Sequence, residues 1–453
     1  MGNKKNDFSQ GSVVGNIINL AVPMTMAQLI NVLYNIVDRI YIGRIPGAGS
    51  MPLTGVGLCL PIISMVIAFA NLFGMGGAPL CSIERGRGNV KEAEKIMGNS
   101  FAMMLLFGIG LTALGLILKK PMLYVFGASD NTYPYASQYV TIYLLGSVFV
   151  MTGLGMNSFI NSQGFGRIGM MTVLLGAVAN IILDPIFIFG LGMGVRGAAL
   201  ATVISQGISA VWILRFLTGK KTILKLKREA MVLERRRVAS IMGLGLSGFT
   251  MSITNSLVQI VCNATLRDFG GDLYVGAMTV INSIREVVQL PVMGVTNSAQ
   301  PVMGYNYGAG EYRRVKEAIR FTSVVAIVYT SIMWAGLYFL PDLFIRIFSN
   351  ENDLLAIARP AMRIYYFGFF MMSLQMAGQA VFVALGKAKK AVFFSVFRKV
   401  IIVFPLTLIL PHLWGLGTDG VFLAEPVSNF LGGAACYVTM LLTVWPELTE
   451  GEK

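Results

Sequence analysis

A single histidine and four cysteines in 453 residues leave little material for metal or nucleophile chemistry. His412 stands beside Pro411 at the end of an apolar run, which argues against a histidine proton relay. Cys59, Cys81, Cys262 and Cys436 lie within or at the ends of apolar segments, show no paired metal spacing, and read as packing residues. No nucleophile with a base, no metal constellation and no phosphate loop occurs, so the chain reads as a protein that is not an enzyme. Charge is scarce too, at 13% of residues. A cleavable leader is not expected, because polar Met1 to Gln10 runs straight into a full-length apolar span containing Pro23.

What is abundant is apolar sequence. Hydrophobic residues make up 55% of the chain and the mean hydropathy is positive, more than a water-soluble core needs. A helix crosses a bilayer with about 20 apolar residues, and about twelve such segments can be drawn. Six fall at 13–42, 53–80, 95–118, 133–160, 168–190 and 195–217. Six more fall at 238–265, 275–303, 316–340, 357–384, 391–411 and 419–445. The expected fold is an all-α integral membrane protein.

The net charge of +14 would point to nucleic acid in a soluble protein, so its placement decides. With the first loop assigned to the cytoplasm, roughly 25 of the Lys and Arg fall on one side and about 9 on the other. The basicity then reports topology, with both termini cytoplasmic in a bacterial-type plasma membrane, and no nucleic-acid partner is expected. The longest and most basic loop, 219–237, carries Lys220, Lys221, Lys225, Lys227, Arg228 and Arg235-Arg236-Arg237. It reads as a cytoplasmic strap on anionic headgroups, separating a first lobe, 1–218, from a second, 238–453.

The two lobes resemble each other at a shift of about 222 residues. Pro79 and Gly86-Arg87-Gly88 fall on Pro301 and Gly308-Ala309-Gly310; Phe126, Tyr143 and Gly146 fall on Phe348, Tyr365 and Gly368. Six spans each is an even number, so the halves insert in one orientation, as two pseudo-symmetric six-helix bundles suited to alternating access.

The symmetry breaks at Asn180-Ile-Ile-Leu-Asp184-Pro185, opposite which the second half has Phe404-Pro405. An ionisable side chain at bilayer depth costs roughly 2.5–3.5 kcal/mol and so marks a working group. Four-residue spacing puts Asn180 and Asp184 on one helical face, and Pro185 has no N–H to give the Ile181 carbonyl. On the first span Asn31, Tyr34, Asn35 and Asp38 form one polar stripe. Asp38, Asp184 and Thr202 sit at similar depths in their spans. Two carboxylates that close cannot both stay ionised cheaply, which suits a group that loads and releases a proton. With Asn180, Thr202 and backbone carbonyls they equally suit sodium, and both ions stay open.

Pro23, Tyr34 with Asp38, the run from Asn180 to Pro185, Gly197-Ala198-Ala199-Leu200-Ala201-Thr202, and Gln300-Pro301-Val302-Met303-Gly304-Tyr305-Asn306-Tyr307-Gly308-Ala309 resemble the multidrug and toxic compound extrusion (MATE) family along essentially the whole chain. The resemblance implies two six-helix lobes, cation-coupled antiport, and export of amphipathic, often cationic organic compounds. Carried residue by residue, it puts the family's first-lobe cation site on Asp38, Asn180, Asp184 and Thr202, with Tyr34 and Asn157 as further members. Family members with a second-lobe carboxylate site have acids where this chain offers Gln259 and Gln375 or Gln379, so the chain resembles the branch that relies on the first lobe.

In the second half, Arg285 and Glu286 point about 100° apart on their helix. Glu286 either faces a central cleft, attracting cationic compounds or holding a second proton, or makes a structural ion pair. Glu425 is a weaker cleft candidate. With 27 methionines and 28 phenylalanines the chain has the makings of a polyspecific pocket; Arg285, Glu286, Gln259 and Met293 are the substrate-contact candidates. Tyr135, Tyr139 and Trp212 read as interfacial anchors. The expected function is a monomeric cation-coupled exporter of small organic molecules, with a proton or sodium as coupling ion and no cofactor. The alternative is a flippase for lipid-linked saccharides, which would line its cavity with several cations where chiefly Arg285 is found.

Overall fold

The computed structural model describes residues 7–47, 51–348 and 351–452, and over them the chain is helical, with no strand. The first half holds α1 (Val13–Gly43), α2 (Met51–Gly86), α3 (Val90–Val125), α4 (Tyr133–Leu145), α5 (Ser147–Ser162), α6 (Gly166–Pro185) and α7 (Val195–Leu217). The second holds α8 (Arg235–Gly270), α9 (Asp272–Gly308), α10 (Tyr312–Phe339), the short α11 (Pro341–Ile345), α12 (Asn352–Tyr365), α13 (Phe370–Ala384), α14 (Ala388–Val396), α15 (Phe404–Ile409) and α16 (Thr418–Gly451). Among the described residues, nine helical stretches are long and apolar enough to cross a membrane. Two further crossings are bent pairs, and α9, with 37 residues, has the length for the twelfth despite polar residues such as Asn282, Arg285 and Gln289. Their outer faces suit lipid: Ile109, Ile117 and Val125 on α3 are 62%, 75% and 82% exposed, apolar surface that water would penalise.

The fourth and tenth spans, expected to be continuous, are each broken. α4 meets α5 at 57° and α12 meets α13 at 52°, and the breaks fall at Gly146 and Gly368, which the internal repeat had paired. Gly368 has φ +68°, a conformation that penalises a side chain, and a Cβ there would meet the Phe430 ring at 2.2 Å. The repeat holds at the turns as well: Gly88 and Gly310, ending α2 and α9, both have φ +78°. Helix pairing is also shared. α2 packs on α3 and α5 as α9 packs on α10 and α13, and α7 packs on α5 as α16 packs on α13.

The chain forms two compact units, one of them Val22–Gly245 and the other Leu246 onward with Phe8–Ala21. The changeovers therefore fall inside helices, beside Pro23 in α1 and after Gly245 in α8, and not at the ends of the basic loop. The first turns of α8 stay with the first unit because Gly245 lies directly against the Leu72 carbonyl of α2, where any Cβ would collide.

The basic loop is fastened to the first unit by buried polar side chains. The Gln163 Oε1 accepts hydrogen bonds from the Thr222 hydroxyl at 2.9 Å and from the Ile223 and Leu224 amides at 2.9 and 2.7 Å. Asn99 Nδ2 donates to the carbonyls of Ala230 and Val232, and its Oδ1 accepts from the Glu234 amide. Lys227 Nζ reaches Glu94 at 2.6 Å. Thr222, Leu224 and Leu226 are buried in alternation while Lys221, Lys225 and Lys227 are exposed, the period of an extended strand lying on a surface. The strap thus packs on protein, leaving its lysines for the solvent side. Gln163→Ala strands the Ile223 and Leu224 amides, each costing about 1–3 kcal/mol when left unpaired, while the Thr222 hydroxyl keeps the Leu224 carbonyl. The variant is expected to melt earlier in detergent and to be cut faster by trypsin between Gly219 and Arg237; an unchanged cleavage rate contradicts the fastening role.

Candidate functional site

In the first unit, Thr172, Gly176, Asn180 and Asp184 recur every four residues on α6, giving one slowly turning face. That face meets Thr202, Ser205 and Ser209 of α7. The approach is close because Gly176 has no side chain; a Cβ there would lie 2.5 Å from Ser209 Oγ. Asn180 Nδ2 donates to Thr202 Oγ1 at 3.4 Å. Asn31 and Tyr34 of α1 complete the lining of a cavity of about 400 Å³, mouth included, together with Asn180, Thr202, Ser205 and Gln206.

Asp38 and Asp184 interact directly, side chain to side chain, with Tyr34 beside both. Asp184 is fully buried. Asp38 Oδ1, both Asp184 oxygens and Asn180 Oδ1 are buried without a hydrogen-bond partner. Two carboxylates offer each other acceptors and no hydrogen, so the group is short of a proton or a cation. The oxygens present, two carboxylates with the amide of Asn180 and the hydroxyls of Thr202 and Tyr34, suit either a proton or a hard monovalent ion.

Two sequence readings change here. Asn157 is not brought to this group: its Nδ2 donates to the Gly169 carbonyl, eleven residues before Asn180 on α6, about 16 Å along a helix. Tyr139, read as an interfacial anchor, is 4% exposed, stacks on Tyr143 at 6.2 Å, and has Thr202 and Asp38 as neighbours. Its nearness is invisible in sequence because α4 reaches the site only through the bend at Gly146.

The second unit has a different cluster. Immediately before Phe404-Pro405 the chain makes a π-helical segment, Phe397–Val403, as it makes one at Ile186–Gly190 immediately after Asp184-Pro185. From this segment Arg398 and Lys399 both reach Glu425 of α16. Lys399 Nζ lies 3.1 Å from each Glu425 oxygen; Arg398 donates to Glu425 Oε1 at 3.0 Å and to Asn429 Oδ1 at 2.5 Å. Arg285 donates to the Tyr365 hydroxyl at 2.6 Å and lies 3.6 Å from Glu425. Arg285, Tyr365, Lys399 and Glu425, with Asn255, Gln259 and Asn282, border a cavity of about 360 Å³, mouth included, while Arg398 is not among its lining.

Of the substrate-contact candidates, Arg285 and Gln259 line this cavity, whereas Glu286 is exposed and neither it nor Met293 is among the lining. Glu425, the weaker candidate, is the buried centre of the cluster. For the flippase reading, which asks for several cations along the cavity, Lys399 adds a second beside Arg285 in the lining, while Arg398 reaches Glu425 without being part of it. Two adjacent cations inside the apolar run 391–411 were the available signal.

Comparison with known proteins agrees with the architecture. The MatE family model matches residues 23–186 and again 248–409, once in each half, as the internal repeat requires. The multidrug export protein MepA of Staphylococcus saprophyticus is 24% identical over 409 residues, 90% of each chain. The FAD transporter of Shewanella oneidensis is 24% identical over 435 residues, 93% of each chain. Among solved structures, a MATE protein crystallised in a bent conformation superposes with a TM-score of 0.93 at 22% identity over the whole of both chains. A transporter of the MOP superfamily from Pyrococcus furiosus superposes with a TM-score of 0.91, also at 22% identity and full coverage. At that identity the likeness is one of fold. The duplicated match, which covers most of the chain, makes it a multi-pass membrane transporter of small molecules, not an enzyme, and a member of the MatE family.

Proposed function

We propose that the protein is a secondary exporter of amphipathic organic compounds that exchanges substrate for a coupling cation, proton or sodium, by alternating access. The observation that carries this reading is the pair Asp38 and Asp184, of which Asp38 Oδ1 and both Asp184 oxygens are buried with no hydrogen-bond partner among the described residues. An ion arriving from outside neutralises the pair, and with it the cost of two carboxylates at bilayer depth. Pro23, lying where α1 changes from one compact unit to the other, gives the helix a place to bend in response. Substrate release outward accompanies that change. The reading takes both termini as cytoplasmic, a plasma-membrane location and a monomer as the working unit. Multidrug export by the staphylococcal relatives supports the substrate class. One cation moving through 100 mV supplies about 2.3 kcal/mol, enough for a gradient of roughly fiftyfold before any chemical gradient contributes.

Efflux of a fluorescent amphipathic dye from proteoliposomes, with proton and sodium gradients imposed separately, tests the proposal. One of the gradients is expected to drive efflux, and Asp184→Asn to reduce the driven component by about tenfold or more while the protein remains folded. Full gradient-driven efflux in that variant refutes the coupling role. Thr202→Val then separates the two ions. If sodium is the ion, losing a hydroxyl ligand worth about 1.4 kcal/mol raises the half-maximal sodium concentration about tenfold. If a proton is, the pH dependence of efflux stays where it was.

A further inference from the structure

The second-unit cavity carries a charge pattern that export of cationic compounds does not use. Three cations, Arg285, Arg398 and Lys399, converge on one carboxylate, Glu425. No other acid makes an ion pair with any of the three among the described residues. Lys399 is 4% exposed and Glu425 6%, so neither charge is relieved by bulk solvent. A buried charge is retained only when it is paired, and here two positive charges exceed what Glu425 offsets. The surrounding cavity is amphipathic: Val258, Met278, Val403 and Val421 line it beside Asn255, Gln259 and Asn282. A cationic substrate would be repelled from such a place.

We propose that this cavity binds an oxyanion, a carboxylate or phosphate carried on an apolar body, with Arg285 and Lys399, which line it, as its ligands and Glu425 as the internal anion that it displaces. Guanidinium groups fork onto carboxylate and phosphate oxygens, and a lysine adds a compact second charge. The π-helical segment Phe397–Val403 sets Arg398 and Lys399 within reach of the same group, although they are sequence neighbours. Glu425 holds the three cations together when the cavity is empty. An entering oxyanion takes over the pairing of Arg285 and Lys399, and the apolar walls take the rest of the molecule. The inference deepens the exporter reading by naming a substrate class, and its test is a binding measurement that needs no ion gradient, so it stands or falls apart from cation coupling.

The experiment uses the full chain, purified in detergent, with three fluorescent probes of one shape: pyrenebutyrate, its neutral alcohol and its primary amine. Fluorescence anisotropy reads binding. Pyrenebutyrate is expected to bind about tenfold or more tighter than the amine, and to weaken as salt rises. Equal or tighter binding of the amine overturns the proposal without any variant being needed. Lys399→Gln and Arg285→Gln are each expected to weaken pyrenebutyrate about tenfold. Glu425→Gln is expected to tighten it, because the competing internal anion is gone; a merely structural cluster predicts the opposite sign, and weaker binding in that variant refutes the site. Displacement of bound pyrenebutyrate by dodecyl phosphate identifies a soluble amphiphile as the source of the oxyanion. Displacement only by a polyprenyl phosphate identifies a lipid. Both support the site, and displacement by neither overturns it.

Discussion

Everything distinctive in this protein follows from the cost of holding charge inside an apolar medium. A carboxylate or an ammonium at bilayer depth must be neutralised by a partner, by water in a cavity, or by an ion that comes and goes. The two halves meet that requirement in opposite ways. In the first, Asp38 and Asp184 have each other and no ion-pair partner among the described residues; in the second, Arg285, Arg398 and Lys399 share Glu425. One half is short of positive charge and the other of negative charge. That is the arrangement expected of a machine whose working groups are completed by what it carries.

The scaffold beneath these clusters is duplicated. Both halves turn at a left-handed glycine after a long helix, both break their fourth span at a paired glycine, and both insert a π-helical segment beside the proline of the fifth. Pro185 and Pro405 each remove a backbone donor, and the helix beside each relaxes into a wider turn. The segments lie on opposite sides of their prolines, which is why Asp184 precedes its π-helical turn while Arg398 and Lys399 lie within theirs. Duplication supplied the same bend twice, and different side chains on the bend gave two chemistries.

The basic loop is placed by more than its charge. Its cations suggest a strap on lipid headgroups, and Gln163, Asn99 and Glu94 also hold it to the first unit through its backbone and one lysine. Its backbone amides would otherwise be buried without partners. The lysines that give the loop its charge are largely those left pointing outward.

The sequence by itself determined the membrane class, the helical content, the duplicated plan and the acid pair of the first half. Each rests on local information: long apolar runs, an even count of spans, and four-residue spacing on one helix. The glycine breaks were also marked, since Gly146 and Gly368 stand in register. Only the tertiary structure decided which side chains share a cavity. Tyr139 joins the first cluster because the bend at Gly146 turns α4 toward α7, and Asn157 of α5 bonds the Gly169 carbonyl instead. Glu286 is exposed and Glu425 buried because the facing of a helix with polar residues on several sides is set by its neighbours and not by its own pattern. Arg398 and Lys399 meet Glu425 from a π-helical segment, whose wider turn breaks the 3.6-residue period on which any reading of faces from sequence depends.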